Sequence, residues 1–129
     1  MKFDCEELSI SDEEFGCTIC FSEIEDKKNF EIGQSYNEIM TSIGLYISLQ
    51  RTYPESEFES DYYYFESSDF DKSGELNDFY IELSRKLFTM NFEGETYKFQ
   101  IDINDQKFEH LKLVLTKIAN GKGEIKFLD

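Results

Sequence analysis

Three cysteines and one histidine are the residues of this chain whose types could hold a metal or perform redox chemistry. Cys17 and Cys20 have the CxxC spacing, and Cys5 and His110 could in principle complete a four-ligand zinc site. A second CxxC is lacking, and residues three apart in a strand point to opposite faces. We therefore interpret the cysteines as core or surface thiols and expect no metal site, a metal or redox site being the alternative.

Catalytic residues are not indicated. His110 falls on a predicted helix, two positions from the core residue Phe108, and no Ser or Cys carries a local catalytic signature. Triad partners can be distant in sequence, so this does not exclude catalysis, but a surface histidine is the expected role. Carboxylates are so numerous that a glycosidase-like pair will lie close by chance. We predict a protein that is not an enzyme.

The segment 69–75 resembles the start of a calcium-binding loop, with acids at positions one and three, Asp69 and Asp71. Position five is Ser73, and position twelve is Tyr80, where the EF-hand loop needs a glutamate that binds through both oxygens. The loop pattern therefore fails. We expect no bound metal and no cofactor.

Acidic and aromatic residues are concentrated in residues 53–65, where alternating acids lead into four consecutive aromatics. Tyrosine combines a large apolar face with a hydrogen-bonding tip, which suits recognition, and neighbouring carboxylates can pair with a basic partner. At most two of the four aromatics can face inward along one strand. We predict a partner-binding surface, the alternative being a solvated acidic loop before a half-buried strand. Its predicted residues are Glu55, Glu57, Glu59, Asp61, Tyr62, Tyr64, Asp69 and Asp71.

The net charge of −15 over 129 residues argues against binding to nucleic acid or to an anionic membrane, since both require clustered Lys and Arg. A basic protein is the natural complement, because opposite fields accelerate encounter; the alternative is that the acids only keep the protein soluble. The excess lies in two segments: residues 1–26 carry nine acids against one lysine, and residues 55–76 carry eight acids against one lysine.

The length and the hydrophobic content of 40% predict a single domain over residues 1–129. The N-terminus turns acidic at once without an apolar signal region, and no apolar run reaches the length of a membrane span. An odd number of cysteines favours free thiols. We expect a cytoplasmic protein.

Hydrophobic periodicity predicts an α+β fold: one strongly curved antiparallel sheet of about six to eight strands, with a C-terminal helix packed on it. The helix spans residues 105–119, capped by Asn104 or Asp105 and ended by Gly121. Helical spacing also favours a short helix within residues 28–42. Strands are expected at residues 2–10, at 15–22 after a turn at 11–14 (with Phe15, Cys17, Ile19 and Phe21 alternating on one face), at 45–51 and 62–65, in a three-stranded meander over 77–103, and at 124–128.

The order of these elements resembles the immunity protein 10 family of bacterial polymorphic toxin systems. Residues 45–51, LYISLQR, are similar to that family's "YLILQR" strand. Glu55, Glu57 and Asp61 resemble its acidic "EFDEQD" stretch, and residues 62–66 with Ser73-Gly74 resemble its "YYIE…SGYG" segment. The resemblance covers roughly residues 40–129. Residues 28–42 look like an insertion, and "GYG" reads Gly-Glu-Leu here.

The resemblance implies an immunity protein that binds a cognate toxin in the cytoplasm of the bacterium that makes it, as in contact-dependent inhibition. Effectors of such systems are often nucleases, whose basic grooves would suit an acidic inhibitor. Two other classes stay open: an acidic adaptor with a non-toxin partner, and a metal-dependent or hydrolytic enzyme. The sequence does not indicate an oligomeric state.

Overall fold

The computed structural model describes residues 1–23 and 44–128. These residues form two five-stranded sheets that pack face to face. The described part also contains one α-helix, α1 (Asp105–Ala119), and a 3-10 turn at Phe70–Lys72. The predicted short helix at 28–42 lies outside the described residues. The strands are β1 (Lys2–Asp4), β2 (Glu7–Glu13), β3 (Gly16–Ser22), β4 (Tyr46–Thr52), β5 (Tyr62–Ser67), β6 (Gly74–Glu75), β7 (Phe79–Leu83), β8 (Leu87–Phe92), β9 (Glu95–Gln100) and β10 (Gly123–Phe127).

Sheet I has the order β1-β9-β8-β7-β10, and sheet II is the antiparallel series β2-β3-β4-β5-β6. Within sheet I, β1 lies parallel to β9 and β10 lies parallel to β7. The α+β class with a C-terminal helix packed on the sheet is confirmed. The strands of the described residues, however, number ten in two sheets, where one sheet of six to eight strands was expected.

The division into two sheets arises at Cys5 and Glu6, inside the predicted strand 2–10. The Cys5 amide donates to the Gln100 carbonyl of sheet I at 2.8 Å, and the Glu6 amide donates to the Ser22 carbonyl of sheet II at 2.8 Å. Neighbouring residues thus join different sheets, which the alternation of side chains alone does not reveal.

The turn predicted at residues 11–14 is wrong, because β2 continues to Glu13 and only Glu14 and Phe15 form the turn. A run of acids reads as a loop, but acids also fit the exposed positions of a strand that has one face in water. A Cβ on Gly16 would clash with the Arg51 carbonyl oxygen, so glycine allows β3 to lie close to β4 at this end.

Aromatic side chains from both inner faces fill the space between the sheets. Phe21 of sheet II lies 4.3 Å from Phe88 and 5.4 Å from Phe99 of sheet I, measured between ring centroids. Phe65 makes the same kind of contact with Phe92, at 5.0 Å. Burial of each Phe side chain stabilises the fold by about 1.5–3 kcal/mol relative to an exposed one, so these rings contribute much of the packing energy between the sheets.

The meander β7-β8-β9 and the helix are confirmed. Glu93 and Gly94 form the β8–β9 turn with φ of 51° and 80°, as a type I′ hairpin turn requires. The helix begins where the Asn104 side chain accepts a bond from the Lys107 amide at 2.8 Å, and it ends before Gly121, at φ 81°. It contacts β2, β3 and β4 of sheet II and β10 of sheet I. No helix in the described ranges is long and apolar enough to cross a membrane.

Candidate partner-binding surface

Two acidic segments that are distant in sequence meet at one end of sheet II. The β2–β3 turn and the β4–β5 connection leave the sheet side by side, because β3 pairs with β4 and sets Gly16 opposite Thr52. The Tyr53 amide donates to the Phe15 carbonyl at 3.0 Å and ties the two connections together. We call residues 13–15 and 53–62 the acidic tip.

Three aromatic side chains of the acidic tip lie in solvent. Phe58 is 91% exposed, Phe15 is 67% exposed and Tyr62 is 54% exposed. Single exposed apolar residues are normal on protein surfaces, but three exposed aromatic rings on two adjoining connections mark a candidate interaction site. Phe15 was expected to face inward with Cys17. That expectation is wrong, because Phe15 lies in the β2–β3 turn and β3 begins only at Gly16.

The carboxylates of the acidic tip divide into paired and unpaired groups. Within the described residues, Glu13, Glu14, Glu55 and Glu57 have no ion pair. Glu59 accepts a bond from the Glu55 amide at 3.2 Å and thereby holds the loop in shape. These four glutamates therefore add negative charge to the acidic tip without an ion-pair partner among the described residues.

Asp61, which was predicted as a partner-binding residue alongside its neighbours, forms an ion pair within the protein. Its Oδ2 accepts a bond from Arg51 Nε at 2.6 Å. Arg51 also donates from Nη1 to the Lys117 carbonyl at the end of α1, at 2.7 Å, and its guanidinium lies 5.0 Å from the Tyr53 ring centroid. This half-buried arginine thus joins the acidic tip, sheet II and the helix.

The four consecutive aromatics alternate as a strand requires. Tyr63 and Phe65 are buried between the sheets, whereas Tyr62 and the half-buried Tyr64 lie on the outer face. Their rings are stacked with centroids 6.1 Å apart. The outward pair continues the patch of the acidic tip along β5.

Tyr46 extends this outer face on β4, where its hydroxyl donates to Glu66 Oε1 at 3.2 Å. Burial and the nearby Glu66 carboxylate raise the pKa of Tyr46 to about 12. Both effects disfavour the phenolate, so the hydroxyl remains a donor throughout the physiological range.

A raised tyrosine pKa makes the folded state weaker at high pH. The unfolded tyrosine loses its proton near pH 10 and the folded one only near pH 12. The stabilisation that Tyr46 gives to the folded state is therefore complete below pH 10 and is lost as the pH rises to 12. After solvent screening, this loss lowers the free energy of unfolding by about 1–2 kcal/mol. Urea unfolding of the wild type and Tyr46→Phe at pH 9 and 11.5 should show a smaller loss for the variant; equal losses would contradict this assignment.

Asp69 and Asp71 lie away from the acidic tip. They flank the start of the 3-10 turn after β5, and both are exposed. The length of β5 separates this turn from Tyr62 by roughly 17 Å at the usual rise per residue. The eight predicted residues thus form one group of five at the acidic tip, Tyr64 on the adjoining face, and a distant acidic pair.

The cysteines and the histidine do not come together. Cys17 is buried and Cys20 is half-buried on the opposite face of β3, and Cys5, Cys17 and Cys20 form no disulfide bond. Burial raises the pKa of Cys5 and of Cys17, which keeps these thiols protonated. His110 is exposed on α1, beside an open groove of about 600 Å³ that β2 also lines. In the described ranges no group of three or more His, Cys, Asp or Glu residues could hold a metal ion.

Four residues of the surface were missed by the sequence reading: Glu13, Glu14, Phe15 and Phe58. The signal for the first three was the acidic pair before an aromatic at a hairpin turn. Their proximity to residues 53–62 depends on the pairing of β3 with β4, which is known only from the folded structure.

No family model, no curated protein and no solved structure matches this chain.

Proposed function

We propose that this protein is an immunity protein that binds a cognate toxin in the cytoplasm and neutralises it by stoichiometric protein–protein binding. The observation that carries the proposal is the acidic tip, where exposed aromatics stand among four unpaired glutamates. The likeness of residues 40–129 to the immunity protein 10 family supplies the biological context.

The chemistry of the acidic tip suits a partner with a basic rim and an apolar pocket. The unpaired Glu13, Glu14, Glu55 and Glu57 offer charge-assisted bonds to Lys or Arg. Phe15 and Phe58 can enter a pocket and remove apolar area from water on binding. A nuclease has such a basic surface around its phosphate-binding groove, and an inhibitor seated there would block the substrate.

The outer face of β5 enlarges the surface that a partner could cover. Tyr62 and Tyr64 present stacked rings with polar tips, which suits the rim of an interface. A partner that covers the acidic tip and these two rings would meet both aromatic anchors and free charges, the pattern of an interface core with a polar border.

Truncating the two exposed phenylalanines tests the role of the acidic tip. Phe15→Ala with Phe58→Ala should leave the free energy of unfolding within about 0.5 kcal/mol of wild type, because neither ring is buried in the free protein. Toxin affinity should fall by about 2–4 kcal/mol, measured by calorimetry. Leu113→Ala on α1, also exposed, is the control and should bind as wild type; equal affinity of the double variant would remove these rings from the interface.

Survival of a host that makes both proteins tests the function itself. The toxin domain encoded beside this gene should kill when expressed alone and should be tolerated when this protein is co-expressed, and the two should co-purify at equal stoichiometry. Death despite co-expression, or the lack of a toxin gene beside this one, would contradict the immunity proposal. Capture of a basic protein without toxicity would favour the acidic adaptor.

A further inference from the structure

We propose that β10, at the edge of sheet I, pairs antiparallel with β10 of a second copy of this chain, joining two five-stranded sheets into one of ten strands. The inference is independent of the toxin-binding proposal. It rests on the direction of the β10 backbone groups, the charge order along the strand and the exposed side chains at its end.

The outer edge of β10 has unpaired backbone groups. The Leu128 amide donates to the Leu83 carbonyl at 2.9 Å, which fixes the even-numbered residues of β10 as those bonded to β7. The amide and carbonyl groups of Ile125 therefore point away from the sheet. In the described part of the chain no strand lies beyond β10. Such an edge is a template for another strand.

The charges of β10 are complementary to themselves when the strand is reversed. In an antiparallel pairing centred on Ile125, Glu124 stands opposite Lys126 of the second copy, and Lys126 stands opposite Glu124 of the second copy. Both side chains are exposed on the outer face of sheet I. Two opposite-charge cross-strand pairs result from one two-fold axis.

The same register gives the exposed Phe127 ring, at the end of β10, an apolar neighbour in the second copy. Phe127 is 40% exposed, and it falls opposite Gly123 of the second copy, where the Phe79 ring of that copy fills the space that a Cβ would take. Ile125 meets its own copy at the centre. Phe127 can therefore pack against an apolar ring across the new strand pair.

β2, the long edge strand of sheet II, carries charges that disfavour pairing with a second copy of itself. β2 spans seven residues, and its charged residues, Glu7, Asp12 and Glu13, are all acidic. An antiparallel self-pairing centred on Ile10 would set Glu7 opposite Glu13, which is repulsive. The remaining edges, β1 and β6, have three and two residues. Self-complementarity is therefore specific to β10.

Sedimentation equilibrium of the full chain tests the proposal. One strand pair is smaller than a standard interface, so we expect a dissociation constant in the micromolar range. The measurement should use about 0.15 M salt, where the Debye length of roughly 8 Å screens the repulsion between two acidic molecules. A protein that is monomeric at about 1 mM would overturn the proposal.

Charge exchange identifies the strand and its register. Glu124→Lys alone and Lys126→Glu alone each set like charges opposite each other and should raise the dissociation constant about tenfold or more. The double variant restores opposite pairs and should return to within about threefold of wild type. Lys98→Glu, exposed on β9 and matched in charge change to Lys126→Glu, should dimerise as wild type. A dimer insensitive to the single exchanges, or not restored by the double exchange, would place the contact elsewhere.

Discussion

Reversal of Glu13, Glu14, Glu55 and Glu57 to lysine should slow association with the cognate toxin about 100-fold at low salt. The four changes, two charges each, move the net charge from −15 to −7 and replace attraction by repulsion at the acidic tip. The association rate, measured by stopped flow in 20 mM and 300 mM salt, should fall with salt for the wild type and should stay level or rise with salt for the variant.

A matched variant separates local charge from net charge. Reversal of Asp69, Asp71, Glu75 and Glu93, all exposed and outside the acidic tip, produces the same net charge. Its association rate should stay within about fivefold of wild type at low salt. Equal slowing by both variants would mean that overall charge, and not the acidic tip, steers the encounter. Asp61 is left unchanged in both, because its reversal would also break the bond to Arg51.

Replacement of Arg51 by methionine should lower the free energy of unfolding by about 3 kcal/mol. The substitution leaves Asp61 without its half-buried partner and the Lys117 carbonyl without its donor. It also removes the cation from the Tyr53 and Tyr63 rings. Urea unfolding followed by circular dichroism measures the loss.

Arg85 provides the control, since it also pairs with an aspartate and lies over a phenylalanine ring, but its partner Asp105 is fully in solvent. Arg85→Met should cost less than about 1 kcal/mol. Adding Asp61→Asn to Arg51→Met should recover part of the loss, because no unpaired charge then remains. Similar costs for Arg51 and Arg85, or no recovery in the double variant, would refute the bridging role of Arg51.

Local patterns in the sequence predicted much of the fold. Helical spacing from Phe108 to Ile118 predicted α1 at the residues where the structure has it, and alternation over residues 77–103 predicted the β7-β8-β9 meander. Both depend on interactions within a few residues. Which sheet a strand joins depends on distant partners, and so the change of sheet at Cys5–Glu6 was missed.

The candidate surface was predicted only in part for the same reason. Alternation placed Tyr62 and Tyr64 outward, because two of four consecutive strand residues must leave the core. Asp61 looked equivalent to Glu57 in the sequence, and only the contact with Arg51 distinguishes them. The addition of Phe15 comes from the β3–β4 register, which no local pattern specifies.

Amide hydrogen exchange in the complex with the toxin domain encoded beside this gene tests the central claim most directly. If the acidic tip is the binding surface, protection on binding should concentrate in residues 14–15 and 55–61, the parts of the acidic tip that lie outside the strands. Protection confined to α1 or sheet I, with the acidic tip exchanging as in the free protein, would contradict it.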